Sequence, residues 1–402
     1  MLDKLNIKEK FIQNCNYLNE INQKFNLYID NIFVKTLLLF DLKLENEIVE
    51  YLSRIEFSEL EQLCFKYNKI SDISSFKYSK FENLELLNLS YNKITDINIL
   101  KEVNFKRLIL LNLSYNKISD IRVFENVNFE ELESLDLEGN IIKEINFGKK
   151  IVANKLKQLI LSKNNISQIN IEKKLEFKDL DGLDLSNNKI SDIKSLEKVE
   201  FEKLKRLFLS DNKISDINAL CRINTEKLEV LDLRNNEIYN IKTFESIEFK
   251  RLNILDISFN KIYDINILEK LDYTDLKELN LESNQISDIK ALDNIGFKKL
   301  VYINLDKNKI SDIDILEKVK FEKLESLHLS SNKISDISIL GNTNFKKLRY
   351  LYLSDNNISD ISVFGKTKFE KLEHLDLSNN EINKIYKPII KTLRYTIQTF
   401  YY

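Results

Sequence analysis

Apolar and polar residues alternate along this chain in a pattern that returns every 24 residues. Two neighbouring stretches, LNLSYNKITDI at Leu87–Ile97 and LNLSYNKISDI at Leu111–Ile121, differ at a single position. The leucines that open each stretch lie two residues apart, so they share one face of an extended segment, and a short strand is predicted there. Serine and aspartate near the end of the second stretch are residue types that cap a short helical turn. Each repeat is therefore predicted to hold one strand and one short helical segment.

One asparagine marks this repeat along most of the chain. It recurs fourteen times without a slip, as Asn68, Asn92, Asn116, Asn140, Asn164, Asn188, Asn212, Asn236, Asn260, Asn284, Asn308, Asn332, Asn356 and Asn380. The repeat reads L-x-x-L-x-L-x-x-N-x-I-x-x-I and is followed by a segment that ends in a large apolar residue, such as Phe81 or Tyr273. A repeat this short cannot bury its own apolar face, so neighbours must stack and share one core. A buried amide needs hydrogen-bond partners, so the asparagines are predicted to form a ladder with backbone groups where the strands end.

This repeat resembles the leucine-rich repeat, and the resemblance extends from Leu60 to about Lys391. It implies an α/β solenoid, a leucine-rich repeat horseshoe with a concave parallel sheet and short convex helical segments. The I-S-D-I stretch, as at Ile70–Ile73, is similar to the repeats of the bacterial internalins. It is also similar to the leucine-rich regulatory subunit of protein phosphatase 1.

The segments that flank the regular repeats are predicted to cover the ends of the core. Apolar residues at helical spacing predict an amphipathic helical cap over residues 1–35, for which a partner-binding or dimerising helix is the alternative. Residues 36–391 are predicted to form the solenoid, with one degenerate and fourteen regular repeats. Residues 392–402, which end in IQTFYY, are predicted to be a capping strand, one residue out of phase with the repeat.

Composition and charge narrow the function classes. The 402 residues include 61 Lys or Arg and 63 Asp or Glu, which gives a net charge of −2 and favours neither a nucleic acid nor a membrane surface as partner. The start of the chain lacks the apolar core of a signal peptide, and the longest apolar run, Thr36–Phe40, is too short to span a bilayer. Cys15, Cys64 and Cys221 are odd in number and match no zinc spacing, so buried thiols are expected. These features predict a cytoplasmic monomer, while secretion by a non-standard route stays open.

Enzyme chemistry finds little support in the sequence. Ser330, His328 and Asp306 could lie near one another, but a serine hydrolase also needs an oxyanion hole, and no G-x-S-x-G motif is present. The sequence also lacks a phosphate-binding glycine loop and a metal-ligand cluster. We therefore predict that the protein is not an enzyme and needs no cofactor and no metal.

Binding is predicted on the face of the sheet where the repeats differ. Residues between the framework leucines change from repeat to repeat, and strand alternation places them on the concave side. Large side chains among them favour a protein interface, whereas drift of unconstrained positions is the alternative. The candidate partner-binding residues are Leu86, Leu110, Tyr115, Arg206, Phe208, Val230, Asp232, Ile254, Asp256, Tyr302, His328, Tyr350, Tyr352 and His374.

Four aspartates, Asp184, Asp232, Asp256 and Asp376, share one column of this face. Clustered carboxylates suit a hard cation, but two on adjacent strands supply too few ligands. A solvated acidic strip that meets Lys or Arg on a partner is the favoured interpretation.

These observations favour a non-enzymatic interaction scaffold that binds a protein or peptide on its concave face. The internalin resemblance implies an alternative, a microbial effector or adhesin-like protein that binds a host protein. The resemblance to the phosphatase subunit implies another, a regulatory subunit of an intracellular enzyme such as a phosphatase.

Overall fold

The repeat folds into one short strand and one short turn. The structure is a computed structural model that describes residues 22–24, 33–127, 129–146, 155–293, 295–366 and 369–402. The chain divides into a first unit, Met1–Leu204, and a second unit, Lys205–Tyr402. Most of the helical cap predicted over residues 1–35 lies outside the described residues, as does Cys15.

The strands recur at the spacing of the sequence repeat. In the first unit they are Thr36–Leu38 (β1), Gln62–Cys64 (β2), Leu86–Asn88 (β3), Leu110–Asn112 (β4), Ser134–Asp136 (β5), Glu144–Ile145 (β6), Gln158–Ile160 (β7), Gln168–Ile169 (β8), Leu175–Phe177 (β9), Gly182–Asp184 (β10) and Val199–Phe201 (β11). In the second unit they are Arg206–Phe208 (β12), Val230–Asp232 (β13), Ile254–Asp256 (β14), Glu278–Asn280 (β15), Tyr302–Asn304 (β16), Ser326–His328 (β17), Tyr350–Tyr352 (β18), His374–Asp376 (β19) and Thr399–Tyr401 (β20).

These strands form the predicted parallel sheet. In the first unit the order is β1-β2-β3-β4-β5-β7-β10, and in the second unit strands β12 to β20 follow one another in chain order. The register moves by one repeat at each step, so that Leu87 pairs with Leu111 and Leu255 pairs with Leu279. Strands β6 with β8 and β9 with β11 form two further parallel pairs within the first unit.

The segments between the strands are mostly single 3-10 turns. Among the described residues, the α-helices are Asn46–Ser53 (α1), Val363–Lys366 (α2) and Lys387–Thr396 (α3), and residues 22–24 are also helical. The 3-10 helices are Ser74–Tyr78, Asn98–Lys101, Arg122–Glu125, Lys194–Lys198, Asn218–Arg222, Lys242–Ser246, Asn266–Lys270, Lys290–Asp293, Asp314–Glu317, Ser338–Asn342 and Lys384–Tyr386. Within the described part of the chain, every helix is too short or too polar to cross a bilayer.

The aspartate of the I-S-D-I stretch organises these turns. The Asp96 carboxylate accepts a hydrogen bond of 2.8 Å from the backbone N–H of Asn98, the residue at which the 3-10 helix begins. Asp264 does the same for Asn266, at 2.9 Å. The predicted capping role therefore belongs to the aspartate.

The framework residues of the repeat fill the core. Leu87, Leu89 and Ile94 are completely buried, and Phe105 is 1% exposed. Burial of one such side chain contributes about 1.5–3 kcal/mol, and each repeat supplies several of them. The apolar periodicity that predicts the strands therefore also predicts the core.

The predicted asparagine ladder is confirmed. The Asn116 amide donates to the carbonyl oxygen of Leu113 in its own repeat, at 3.0 Å, and to that of Leu89 in the preceding repeat, at 2.9 Å. Its Oδ1 accepts from the backbone N–H of Ile94 at 2.9 Å. Asn116 is only 7% exposed, so its amide replaces water for backbone groups of two adjacent repeats.

Two details of the sequence prediction are wrong. The predicted capping strand is present as Thr399–Tyr401, but residues 392–402 are not a strand throughout, because α3 extends to Thr396. Pro388 explains the helix, since proline is favoured in the first helical turn. The cysteines are also less buried than predicted, because Cys64 takes an outward strand position and Cys221 lies exposed in a 3-10 turn.

We predict that Asn260→Leu lowers the free energy of unfolding by roughly 2–4 kcal/mol, because buried backbone groups lose their partner. The Asn260 amide donates to the Leu233 and Ile257 carbonyl oxygens and accepts from the Ile238 N–H. Chemical denaturation monitored by circular dichroism measures the change. Asn266→Leu, the same substitution at an exposed position, serves as the control. Equal stability of the two variants would refute the structural role of the ladder.

Candidate functional site

Strand alternation creates one face of the sheet on which the repeats differ. In β14 the central Leu255 is completely buried, whereas Ile254 and Asp256 on either side are half-buried and point away from the core. We call the surface formed by the first and third residues of the sheet strands the outer face. Neighbouring strands lie roughly 4.8 Å apart, so side chains on this face contact one another and are partly covered.

Of the fourteen candidate residues, thirteen lie on the outer face. At first strand positions lie Leu86, Leu110, Arg206, Val230, Ile254, Tyr302, Tyr350 and His374. At third strand positions lie Phe208, Asp232, Asp256, His328 and Tyr352. Tyr115 is instead in the turn that follows β4, and its φ is 51°. All fourteen are half-buried except Arg206, which is exposed.

Aromatic rings in the second unit form a continuous row of ring contacts on this face. We call this row the Tyr–His ladder, and its members are Tyr302, His328, Tyr352, His374 and Tyr401. Successive ring centroids lie 5.0, 4.2, 4.6 and 5.7 Å apart. The ladder brings together four candidate residues and adds Tyr401, which sequence reasoning missed because the register of β20 differs from the repeat by one residue.

His374 has an unusual environment within the ladder. Burial lowers the pKa of its imidazole below the ordinary value of 6.5, and the nearby His328 acts in the same direction. Its Nε2 atom is buried and has no hydrogen-bond partner among the described residues. His374 is therefore neutral at physiological pH and has an unused hydrogen-bonding atom.

Ser330, His328 and Asp306 lie near one another as predicted, but the hydroxyl that contacts His328 is that of Ser326. The Nε2 atom of His328 lies 2.9 Å from the hydroxyl of Ser326, and its Nδ1 lies 3.4 Å from the Asp306 carboxylate. Ser330 instead donates its backbone N–H to Asp306 and accepts a hydrogen bond from the Ser354 hydroxyl. Strand alternation explains the difference, because Ser326 and His328 are two residues apart on one strand.

This serine–histidine–aspartate arrangement lies in a regular sheet. An acyl-transfer site also needs N–H donors that point at a developing oxyanion. The backbone N–H of Ser326 donates to the Val301 carbonyl at 3.0 Å, and that of Leu329 donates to Tyr352 at 2.9 Å. Both amides therefore already donate to carbonyl oxygens of the sheet. The contacts of His328 with Ser326 and Asp306 hold its ring in place within the ladder.

The aspartates that share one column of the outer face have a structural role that was not predicted from the sequence. Asp232 accepts a hydrogen bond of 2.9 Å from the Arg234 N–H, and Asp256 accepts one of the same length from the Ser258 N–H. These bonds close the turn after each strand, as an Asx turn does. Burial raises the pKa of Asp232, with a further contribution from Asp256 on the adjacent strand. Within the described residues, no group of three or more His, Cys, Asp or Glu could hold a metal ion.

The first unit carries a different aromatic cluster beside its strands. The rings of Tyr67, Tyr91 and Tyr115 stack with centroids 4.3 Å apart at both steps. Leu86 and Leu110 pair in register on the neighbouring strands. Sequence reasoning selected Tyr115 but missed Tyr67, although both precede the ladder asparagine of their repeat.

Tyr115 is fixed by its surroundings. Its hydroxyl donates to Glu138 at 2.9 Å and accepts from the Lys163 ammonium at 3.0 Å. Its ring lies over Gly139, where an added Cβ would be 2.7 Å from the ring, so only glycine fits there. Tyr67, at the other end of the stack, is 46% exposed. Tyr67 is therefore the ring of this cluster that a partner can reach most easily.

Solved structures show the same fold. A leucine-rich repeat protein from Leptospira interrogans is 23% identical, with a TM-score of 0.75 over 91% of this chain and 89% of that chain. An internalin from Listeria monocytogenes is 25% identical, with a TM-score of 0.52 over 92% of this chain and 87% of that chain. The plant peptide hormone receptor RGFR1, in complex with RGF2, is 19% identical, with a TM-score of 0.58 over 87% of this chain and 63% of that chain.

Sequence comparison agrees with the structural comparison. No curated protein sequence matches the chain at a significant level. The family model described as leucine-rich repeats (two copies) matches residues 58–102, 274–318, 298–342 and 346–391. These matches coincide with the 24-residue repeat, its asparagine ladder and its parallel strands. The chain is a leucine-rich repeat protein.

Proposed function

We propose that this protein is a non-enzymatic scaffold that binds a protein or peptide partner on the outer face of its sheet. The observation that carries the proposal is the Tyr–His ladder. Rings that already contact one another offer a large apolar contact area that loses little conformational entropy on binding. Aromatic residues arranged in this way are typical of the centre of a protein interface.

The charges of the outer face favour a cationic partner segment. Among the first and third positions of the second unit's strands, Arg206 is the only Lys or Arg, whereas Asp232, Asp256, Glu278 and Asp376 are acidic. Lysine or arginine on a partner would pair with these carboxylates and could also lie over the tyrosine rings.

The carboxylates are not needed to close the turns. Asn280 occupies the equivalent position of β15, and its Oδ1 accepts a hydrogen bond from the Glu282 N–H at 3.1 Å. Asparagine can therefore accept the hydrogen bond that closes the turn, as Asp232 and Asp256 do, without the free-energy cost of desolvating a charge. The carboxylates at these positions therefore add a negative charge that turn closure does not require, and this supports a role for the charge in binding.

The comparisons support a binding function in a general way. The plant receptor, whose structure contains RGF2, is a relative in fold that binds a ligand. The likeness to the Listeria internalin favours one specific alternative, a microbial effector or adhesin-like protein that binds a host protein.

We predict that a photo-crosslinking amino acid at Tyr350 captures the partner. Tyr350 is half-buried on the outer face, beside the ladder. The matched control carries the same amino acid at Tyr263, which is 61% exposed in the turn before the 3-10 helix Asn266–Lys270. Crosslinked products are identified by mass spectrometry after irradiation of native cells. Capture at Tyr263 and not at Tyr350 would exclude the outer face as the binding site.

For a partner identified in this way, Tyr352→Ala should weaken binding by about tenfold or more, because a central aromatic anchor is lost. Tyr263→Ala should leave the dissociation constant unchanged. Melting temperatures of both variants show whether the fold is retained, since Tyr352 also contacts His328 and His374 in the ladder. An unchanged dissociation constant for Tyr352→Ala contradicts the proposal.

We also predict that Asp232→Asn raises the melting temperature at neutral pH. Folding raises the pKa of Asp232 above its ordinary value of 3.8, so ionisation of this group opposes folding at higher pH. The advantage of asparagine should be absent below pH 3.8 and should grow as pH rises through the raised pKa. Asn280→Asp, the reverse exchange, should be destabilising at neutral pH. Identical melting curves for wild type and Asp232→Asn at neutral pH would show that burial of this charge has no cost.

A further inference from the structure

A second surface of the second unit carries charge of the opposite sign. The chain as a whole has a net charge of −2, yet residues 382–402 contain Lys384, Lys387, Lys391 and Arg394 and neither aspartate nor glutamate. The net charge of the whole chain conceals this local excess of positive charge. A local excess is informative where the fold gathers it on one surface.

Helix α3 gathers these cations. Lys387, Ile390, Lys391 and Arg394 follow the i, i+3, i+4, i+7 spacing that places side chains on one face of a helix. Leu393, which is 6% exposed, packs towards the core from another side of the helix. The cationic face therefore points away from the packed side of α3.

The cationic face borders a groove of about 490 Å³. Its cations are Lys384, Lys387, Lys391 and Arg394, and apolar surface comes from Ile382 and Ile390 between them. We call this site the basic groove. Its volume falls in the range of sites that enclose a ligand group.

Among the described residues, the cations of the basic groove have no acidic partner. Elsewhere in the second unit, lysines bridge adjacent repeats, as in Lys250–Glu226 at 2.6 Å and Lys270–Glu245 at 2.8 Å. No ion pair involves the four cations of the groove among the described residues. Unpaired cations at an apolar groove favour a ligand that supplies carboxylates.

Arg394 is oriented in advance for such a ligand. Its guanidinium carbon lies 4.9 Å from the centroid of the Tyr402 ring, and one of its nitrogens donates to the Tyr402 hydroxyl at 2.7 Å. These contacts are with a neutral group, so the positive charge stays available. A planar guanidinium held in this way can bind a carboxylate through two hydrogen bonds with little loss of side-chain entropy.

We propose that the basic groove binds an acidic segment of a partner protein that also carries an aliphatic or aromatic side chain. Glutamate or aspartate would pair with the four cations, and the apolar side chain would fill the groove between Ile382 and Ile390. A bilayer surface or a nucleic acid backbone would meet the cations but would leave this apolar lining unfilled. The basic groove and the acidic outer face therefore take chemically different segments, and the two sites can be occupied independently.

Fluorescence anisotropy with a synthetic peptide tests this proposal. The probe is a fluorescein-labelled peptide in which glutamates flank a phenylalanine–leucine pair, and the control peptide has glutamine in place of each glutamate. The glutamate peptide should bind, and added salt should weaken its binding. Lys391→Glu should weaken binding by about tenfold or more. Ile390→Ala should also weaken binding, since apolar contact is lost.

Lys320→Glu is the matched control, because it changes the net charge equally at an exposed position elsewhere in the second unit. It should leave binding of the glutamate peptide unchanged. Lys391→Gln, a milder change, provides the test if Lys391→Glu lowers the melting temperature. Equal binding of the two peptides, or undiminished binding by both Lys391 variants, would overturn the proposal. Binding to phosphatidylserine vesicles or to a single-stranded oligonucleotide that depends on Lys391, without binding of the peptide, would overturn it as well.

Discussion

The buried asparagine amide is the interaction on which the rest of the structure depends. The strands are only three residues long, so backbone pairing alone leaves donors and acceptors unsatisfied where each strand ends. Asn116 satisfies these groups in its own repeat and in the preceding one, and it does so inside the core. Since each such asparagine links two repeats, the side-chain ladder holds the strands in the register that aligns the outer-face residues. The alignment of the outer-face residues thus follows from the need to satisfy backbone hydrogen bonds inside the core.

That requirement also explains how much of the molecule could be predicted from its sequence. Leucine, isoleucine and asparagine recur at fixed spacing because burial constrains them, and they were predicted correctly for that reason. Contacts on the outer face follow no such constraint. Tyr302 contacts His328, although its partner in the strand register is Ser326, because ring size and side-chain rotamer decide which groups touch. The hydroxyl that contacts His328 belongs to Ser326, a pairing that the repeat does not specify. Tyr401 and α3 were missed because they depart from the period of 24 residues.

The two surfaces of the second unit use different physical means of binding. The outer face offers rings that already contact one another, with carboxylates around them, so apolar contact and cationic groups on a partner would act together. The basic groove offers cations that form no ion pair with the described residues, and Tyr402 holds one of them in a fixed orientation. In the first unit, the tyrosine stack is tied down at Tyr115 and accessible at Tyr67. The proposed binding residues therefore lie where the repeats depart from their consensus, on a backbone that remains constant.

The bonds of Asn260 reach only its own repeat and the one before it. Because no such bond extends further, a complete repeat is a separable module in the gene as well as in the fold. When one repeat is gained or lost, 24 residues are inserted or removed, and the repeats on either side meet at an equivalent position. Gain or loss of any other number of residues within the strand and its turn would misplace an asparagine. Gain of a whole repeat would therefore lengthen the outer face by one strand spacing, about 4.8 Å.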